Sequence, residues 1–129
     1  MKVKLFTAIV ISVASLLNPS IARAEWIQVA SSGDTQLLID NNAIERRGST
    51  VFYWEKIVFT VPQHGSIKSM TSYNSINCES QVMRTYELIA YNAAGKAVLD
   101  DGVGTQILIE QVIPGTQGET VYQAVCSNW

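Results

Sequence analysis

Alternating apolar and polar positions dominate the middle of the chain and predict β-strands there. Residues 50–61 (TVFYWEKIVFTV) are rich in β-branched and aromatic side chains and end at Pro62, as is typical of strands. Successive side chains of a strand point to opposite faces, so this segment has two apolar faces. One face carries Val51, Tyr53, Ile57, Phe59 and Val61, and the other carries Phe52, Trp54 and Val58. Apolar residues on both faces favour a central strand, with at least one of Tyr53 and Trp54 in the core.

Five further segments have strand-like patterns and complete a predicted set of about six strands. They are Trp26–Ala30, Thr35–Asp40, Ile67–Asn77, Ser80–Asn92 and Gln106–Ile113. The charged residues of Ser80–Asn92 also suit a helix at its start. As a strand, this segment places Val82, Tyr86, Leu88 and Ala90 on one side.

Turn residues separate these segments. Residues 31–34 (SSGD), 92–95 (NAAG) and Asp101-Gly102 predict turns between adjacent strands. The piece between Asn41-Asn42 and Arg46-Arg47-Gly48 predicts a loop or a short turn of helix. Connections this short predict an antiparallel meander, because parallel strands need long crossovers.

The pattern changes to a helical one at the end of the chain. Pro114-Gly115 ends the last strand, and Thr116 and Glu119 have the spacing of a capping box. Helical periodicity then places Val121, Tyr122, Val125 and Cys126 on one face. Since that face is apolar, we expect Cys126 to point toward the sheet.

The first residues have the order of a secretory signal peptide. Lys2 and Lys4 precede an apolar run over residues 5–17, and Ala22-Arg23-Ala24 provides a small-x-small cleavage pattern. The run is shorter than the roughly 20 residues that a membrane-spanning helix needs. We therefore expect residues 1–24 to be a signal peptide, cleaved between Ala24 and Glu25. Residues 25–129 would then form one mature domain without stable membrane insertion.

Cys78 and Cys126 are the only cysteines of the chain. An even cysteine count in an exported chain predicts a disulfide, because export removes the chain from the reducing cytosol. Together these patterns predict an α+β fold. A single antiparallel, meander-like sheet of about six strands carries a C-terminal helix, tied to it by a Cys78–Cys126 disulfide.

Loss of the signal peptide makes the chain more acidic. Six basic and eleven acidic residues remain, which is a formal charge of −5. Nucleic-acid binding depends on clustered Lys and Arg that displace counterions, and the one adjacent basic pair, Arg46-Arg47, lies in a turn-like stretch. The composition therefore argues against a nucleic-acid partner and against docking on anionic lipid.

No residue pattern in the chain predicts a reaction. His64, the only histidine, lies in a loop without a nucleophile-elbow pattern. One histidine and two bridged cysteines do not make a zinc site, and Asp100-Asp101-Gly102 favours a hairpin turn over a calcium loop. We therefore predict no catalytic, cofactor-binding or metal-ligating residue, although spacing does not exclude carboxylates paired between strands.

Tyr73, on a polar strand, is the best candidate for a surface contact, although an exposed tyrosine by itself requires no function.

An ordered set of residues runs across the mature chain. In chain order it consists of Trp26, Leu38-Ile39-Asp40, Ile44, Arg47-Gly48, Trp54, Cys78, Arg84, Tyr91, Gly95, Ile113-Pro114-Gly115 and Val125-Cys126. This set resembles the surface-adhesin protein E-like family of small exported bacterial domains. The resemblance covers nearly all of the mature domain and implies an antiparallel sheet with a helix packed on it.

The resemblance also implies an exported, non-enzymatic domain that binds extracellular protein ligands. It transfers no binding residue, because adhesion depends on surface loops. No cysteine follows the cleavage region to carry a lipid anchor, so we expect the protein in the periplasm or secreted, and at the cell surface only if another component retains it. The alternative is a periplasmic accessory or inhibitor protein that binds an envelope protein. In either case the protein ligand is unidentified, and homo-oligomerisation through a sheet edge is open.

Overall fold

The computed structural model describes residues 23–63, 66–102 and 108–128. These residues form eight β-strands and one α-helix. The elements are β1 (Trp26–Ser32), β2 (Thr35–Asp40), β3 (Glu45–Arg47), β4 (Thr50–Gln63), β5 (Ile67–Asn77), β6 (Val82–Tyr91), β7 (Ala97–Gly102), β8 (Leu108–Gln111) and α1 (Gln117–Asn128).

The strands form one antiparallel sheet, which confirms the predicted α+β fold. The main path of the sheet is β1-β2-β4-β5-β6-β7, so neighbours in space are mostly neighbours in sequence. The two short strands extend this meander: β3 pairs with the start of β4, and β8 pairs with the start of β6. The long strands β4, β5 and β6 form the centre, and shorter strands share their outer edges.

The loop predicted after Asn41-Asn42 is confirmed for residues 41–44, but the turns predicted at Arg46-Arg47 and at Asp101-Gly102 were wrong because neighbouring strands offered free pairing positions. Residues 45–47 form the strand β3, since β2 pairs with β4 only from Glu55 onward and leaves Thr50–Phe52 available. Arg46 and Arg47 therefore lie in a strand, and the chain turns at Gly48, whose φ is +61°. Asp101 and Gly102 belong to β7, where they pair with Leu88 and Glu87.

The predicted strand Ser80–Asn92 begins later than expected. Residues 78–81 form a turn in which the Asn77 side chain accepts hydrogen bonds from the backbone N–H groups of Glu79 and Ser80, both at 2.9 Å. Gln81 has a φ of +61°, and β6 starts at Val82. The segment is thus a strand, and its alternative helical start is not adopted.

The core lies between α1 and one face of the sheet. Its fully buried side chains are Leu37, Ile39, Val51, Tyr53, Ile76, Val121 and Val125. Burial of an aliphatic side chain of this size stabilises the fold by about 1.5–3 kcal/mol relative to exposure. Val121 and Val125 lie on the helix face that the periodicity predicts, and Cys126 packs against the same core.

The start of α1 is capped much as the sequence predicts. The Thr116 hydroxyl accepts a hydrogen bond from the backbone N–H of Glu119 at 3.4 Å and donates one to the Ile113 carbonyl at 2.6 Å. The Glu119 carboxylate accepts from the Gly115 N–H at 3.1 Å, one residue before the cap residue of a standard capping box. The cap therefore joins the first helical turn to the segment that precedes it.

A disulfide joins Cys78, just after β5, to Cys126 in α1. The Tyr122 hydroxyl donates a hydrogen bond to the Cys78 carbonyl at 3.1 Å, one helical turn before Cys126. An isolated helix of 12 residues is marginal in water, so this covalent and polar attachment holds α1 against the sheet.

We predict that Cys78→Ser or Cys126→Ser strongly lowers stability. The cysteines are 48 residues apart in sequence, and the chain-entropy model gives about 4 kcal/mol for closing a loop of that length. Thermal unfolding with and without reductant measures the effect, and Ser127→Ala, at the exposed position next to Cys126, is the control. Equal midpoints in the oxidised and reduced protein would contradict the prediction.

Candidate functional site

Four aromatic side chains form a cluster on the face of the sheet opposite α1. This aromatic cluster consists of Phe52 and Trp54 of β4, Tyr73 of β5 and Tyr86 of β6. All four are half-buried. They lie side by side because the pairing register puts Trp54 opposite Tyr73 and Phe52 opposite Ser75.

Tyr73 lies at the centre of the aromatic cluster. Its ring centroid is 5.1 Å from that of Trp54, 5.8 Å from that of Tyr86 and 6.3 Å from that of Phe52. These distances are within the range of favourable aromatic pairs. The Tyr86 hydroxyl is 2.8 Å from the Ser75 hydroxyl beneath the rings. The contacts hold the rings in fixed positions before any partner binds.

Basic side chains accompany the aromatic cluster. The Arg47 guanidinium lies 4.7 Å from the Phe52 ring centroid and forms a two-point ion pair with Glu45, with N–O distances of 2.9 and 3.1 Å. The hydrogen bond and charge of Arg47 lower the pKa of the Glu45 carboxyl. On the same face, the Lys56 ammonium lies 5.6 Å from the Trp26 ring centroid. Both contacts have cation–π geometry.

The structure places the sequence-predicted site residues as follows. Tyr53 is fully buried in the core and Trp54 belongs to the aromatic cluster, which confirms that one of the two is a core residue. Tyr73, the predicted surface contact, is only half-buried and touches three other rings. His64 lies outside the described residues. Ala24 and Glu25 are exposed just before β1, and their cleavage remains a prediction.

The alternation of the sequence placed Tyr86 on the same side of β6 as Ala90, and the structure shows that this prediction was wrong. A register shift in the β5–β6 pairing pairs Tyr73 with Glu87 but Asn74 with Thr85, leaving Tyr86 as an extra residue. Such a bulge reverses the phase of the alternation. Tyr86 therefore faces the aromatic cluster, whereas Ala90 is buried on the opposite side.

A cavity of about 380 Å³ lies on the other side of the sheet, beneath the first turn of α1. Its apolar walls are formed by Leu37, Met83, Ile113 and Val121, and its polar lining consists of Glu55, Glu110, Gln111, Thr116, Gln117 and Gly118. A Cβ atom on Gly118 would lie 3.3 Å from the Met83 sulfur, so glycine lets the helix approach β6 closely here. Glu110 and Ile113 are exposed, so the cavity opens at the edge of the sheet.

Glu55 is the unusual group of this cavity. It occupies the apolar face of β4 between Tyr53 and Ile57, and among the described residues no hydrogen bond or ion pair joins its carboxyl. Burial raises the pKa of the Glu55 carboxyl from 4.5 to about 7. Burial, with a smaller contribution from the charge of Glu55, also raises the pKa of Tyr53 well above 10. The Tyr53 hydroxyl likewise has no hydrogen-bond partner in the described part of the chain.

The sequence analysis did not identify this cavity, although a charged residue at an apolar strand position was a signal for it. Glu55 interrupts the series Val51, Tyr53, Ile57 on one face. The other acidic residue of the described lining, Glu110 on β8, was not predictable because β8 pairs with β6 and not with β4. Two acidic residues from strands that do not pair thus line the same cavity.

Other kinds of site have little support in the described residues. Over residues 23–63, 66–102 and 108–128, no three His, Cys, Asp or Glu side chains are grouped to hold a metal ion. Over the same ranges, no helix has the length and apolar character needed to cross a bilayer.

The edge strand β8 exposes Leu108 (54 %) and Ile109 (62 %). Homo-oligomerisation through a sheet edge remains a prediction.

Comparison with known proteins agrees with this architecture. The family model described as surface-adhesin protein E matches residues 26–127. Crystal form II of Haemophilus influenzae protein E is similar in structure, with a TM-score of 0.63 and 14 % identity over 86 % of this chain and 94 % of that one. Another structure of H. influenzae protein E has a TM-score of 0.58 and 16 % identity over 86 % and 90 %. Protein E from non-typeable H. influenzae has a TM-score of 0.56 and 16 % identity over 85 % and 80 %. No curated protein matches the sequence.

We predict that Glu55 makes the fold less stable as pH rises from about 4.5 to 7. The folded pKa is raised, so the folded state binds the proton more tightly than the unfolded state in this window. The destabilisation is absent below pH 4.5 and complete above about pH 7, where it reaches at most about 3 kcal/mol. Glu55→Gln should therefore raise the thermal midpoint at pH 8 and change it little at pH 4. Glu79→Gln, at an exposed glutamate, is the control, and an equal effect of both substitutions at pH 8 would contradict the assignment.

Proposed function

Because the chain belongs to the surface-adhesin protein E family, we propose that it is an exported bacterial binding domain that adheres to extracellular protein ligands. The aromatic cluster and its basic neighbours form the proposed contact surface. The single observation that carries this assignment is the group of four half-buried rings on the face that α1 leaves uncovered. Aromatic and arginine side chains are the residues most enriched where protein interfaces gain their binding energy.

The packing of the aromatic cluster supports a pre-organised surface. Each ring touches at least one other ring, and the Tyr86 hydroxyl is bonded to Ser75. Rings that are already ordered lose little conformational freedom on binding, so more of the contact energy remains as affinity. Ordered aromatic side chains on a strand face therefore suit recognition better than mobile side chains of the same size.

The charges around the aromatic cluster suit a partner with acidic and apolar groups. The helix-free face carries Arg47 and Lys56 next to aromatic rings, and the pairing of Arg84 with Ser75 places Arg84 there too. The acidic residues that the pairing places on this face include Glu45, which is paired to Arg47, Glu87, and Asp40, which is buried opposite Trp26. The face is thus more basic than the acidic chain as a whole, which favours an acidic partner surface.

A non-enzymatic role is part of this proposal. The buried Ser75 hydroxyl beneath the aromatic cluster is hydrogen-bonded to the Tyr86 hydroxyl, and no bond to a basic side chain is found for it among the described residues. A hydroxyl without a neighbouring base is a weak nucleophile. The contacts at this face therefore support binding and not covalent chemistry.

Export by a signal peptide cleaved between Ala24 and Glu25 is also proposed. The Glu25 N–H donates a hydrogen bond to the Asp40 carboxylate at 2.9 Å, so cleavage would place the new amino terminus beside a carboxylate. A periplasmic accessory or inhibitor that binds an envelope protein would use the same export route and is the alternative.

The location of the protein distinguishes adhesion from the periplasmic alternative. We expect an impermeant protease to cleave it on intact cells, or the protein to occur in the culture supernatant. A periplasmic protein of the same cells is the control for membrane integrity. Complete protection until the outer membrane is opened would reject adhesion and leave the periplasmic alternative.

Substitutions in the aromatic cluster test the contact surface. We expect Trp54→Ala and Tyr73→Ala each to weaken binding to immobilised extracellular matrix and serum proteins at least tenfold, because central aromatic residues dominate interface energies. Val61→Ser, at an apolar residue that is 54 % exposed and outside the cluster, is the matched control. Thermal unfolding checks that each variant is folded, and unchanged binding by folded Trp54→Ala and Tyr73→Ala proteins would reject this face as the contact surface.

A further inference from the structure

The cavity beneath α1 has the features of a binding site for a cation with an aliphatic arm. We propose that it binds an alkylammonium group, with the charged end at Glu55 and the methylene chain along the apolar walls. A lysine side chain of a partner protein and a small free amine share this chemistry. The proposal is independent of adhesion, because the aromatic cluster lies on the opposite face of the sheet.

The cavity is large enough for such a ligand. Its volume is about 380 Å³, whereas one water molecule occupies about 30 Å³ in the liquid. Small-molecule sites have volumes upward of about 300 Å³ and combine mostly apolar walls with a few polar groups. Leu37, Met83 and Val121 form such walls here. Methylene groups of a lysine-like chain pack well against surfaces of this kind.

The unpartnered Glu55 carboxyl indicates the charge of the ligand. Ionisable groups that lose much of their hydration in the fold are normally paired or hydrogen-bonded, yet no bond to the half-buried Glu55 is found among the described residues. Among the described lining residues, the one other charged residue is also acidic, Glu110 on β8. The described lining therefore carries acidic side chains and no basic ones, which favours a cation over an anion.

An alkylammonium ion fits this lining better than a divalent metal ion does. Calcium takes six to eight oxygen ligands and magnesium six, while no three His, Cys, Asp or Glu side chains are grouped in the described residues and the described lining holds only two acidic ones. An ammonium group needs only a few acceptors, and its carbon chain can use the apolar walls. The glutamine side chains and the Thr116 hydroxyl at the rim can accept the remaining hydrogen bonds.

Ligand binding and the ionisation of Glu55 must be coupled. Among the described residues, Tyr53 on the same strand is electrostatically coupled to Glu55. Glu110 from β8 is the other titratable residue of the described lining, while α1, β2 and β6 contribute uncharged residues to it. Burial raises the Glu55 pKa to about 7, so most of the carboxyl is neutral at pH 6 and ionised at pH 8. By linkage, a bound cation lowers this pKa, and binding strengthens as pH rises.

Titration with pentylammonium tests the proposal on the purified exported protein. At pH 8 we expect saturable binding by calorimetry, at least tenfold weaker in Glu55→Gln and unchanged in the control Glu79→Gln. Pentanol, which has the same chain without the charge, should bind at least tenfold more weakly than pentylammonium. The wild-type affinity should fall about tenfold from pH 8 to pH 6, following the ionised fraction of a carboxyl with a pKa near 7.

Two further probes distinguish the sources of the ligand. Tighter binding of N-acetyl-lysine-N-methylamide than of cadaverine supports a lysine side chain of a partner protein, and the reverse order supports a small free amine. Equal binding of both supports the shared chemistry alone. The proposal is overturned if pentylammonium does not bind at pH 8, if it binds Glu55→Gln as well as wild type, or if pentanol binds equally well. Since these probes carry no adhesion ligand, the result is independent of whether the protein adheres.

Discussion

The contact of α1 with one face of the sheet determines the role of both faces. Val121 and Val125 complete a core with side chains from β2, β4 and β5, and this core includes the ring of Tyr53. No second helix among the described residues covers the other face. The apolar residues of that face must therefore shield one another, and the aromatic cluster does so by stacking four rings over Ser75. The structure thus has one face built for stability and one that presents ordered aromatic and basic side chains.

The position of α1 depends on its two ends more than on its own helical tendency. At its start, Thr116 and Glu119 bond to the segment before the helix, and at its end Tyr122 and Cys126 attach it to residue 78. Between these anchors, Gly118 allows the first turn to lie close to Met83. The cavity occurs where the capped first turn meets the sheet, so the anchors that stabilise the helix also define the walls of the cavity.

Glu55 illustrates how a residue can lower the stability of the folded state and still be accommodated in the fold. A leucine or isoleucine there would continue the apolar series of β4, whereas the half-buried carboxyl loses hydration without a hydrogen bond from the described residues. Unfavourable groups of this kind are concentrated at functional sites, because function can require a charge where stability prefers none. The two faces of β4 therefore contribute to two separate features, the aromatic cluster on one side and a cavity lined by acidic and apolar residues on the other.

Local patterns in the sequence were sufficient to predict most of the fold. The long strand from Thr50, the helix after Thr116 and the pairing of Cys78 with Cys126 each follow from periodicity, capping residues or cysteine count, which are properties of short segments or of composition. The resemblance to surface-adhesin protein E likewise agrees with the family match over residues 26–127.

Only the tertiary structure decided which residues share a site. The strand β3 and the pairing of Asp101 with Leu88 exist because a neighbouring strand left positions free, and that is a property of the sheet. The bulge that brings Tyr86 to Tyr73 changes the phase of the alternation without a signal in composition. Glu55 and Glu110 are brought to one cavity by strands that do not pair with each other. The sequence by itself determined the elements and their apolar faces because these depend on nearest neighbours along the chain. The sites depend on register and on the placement of one helix, which are determined by contacts between residues far apart in sequence.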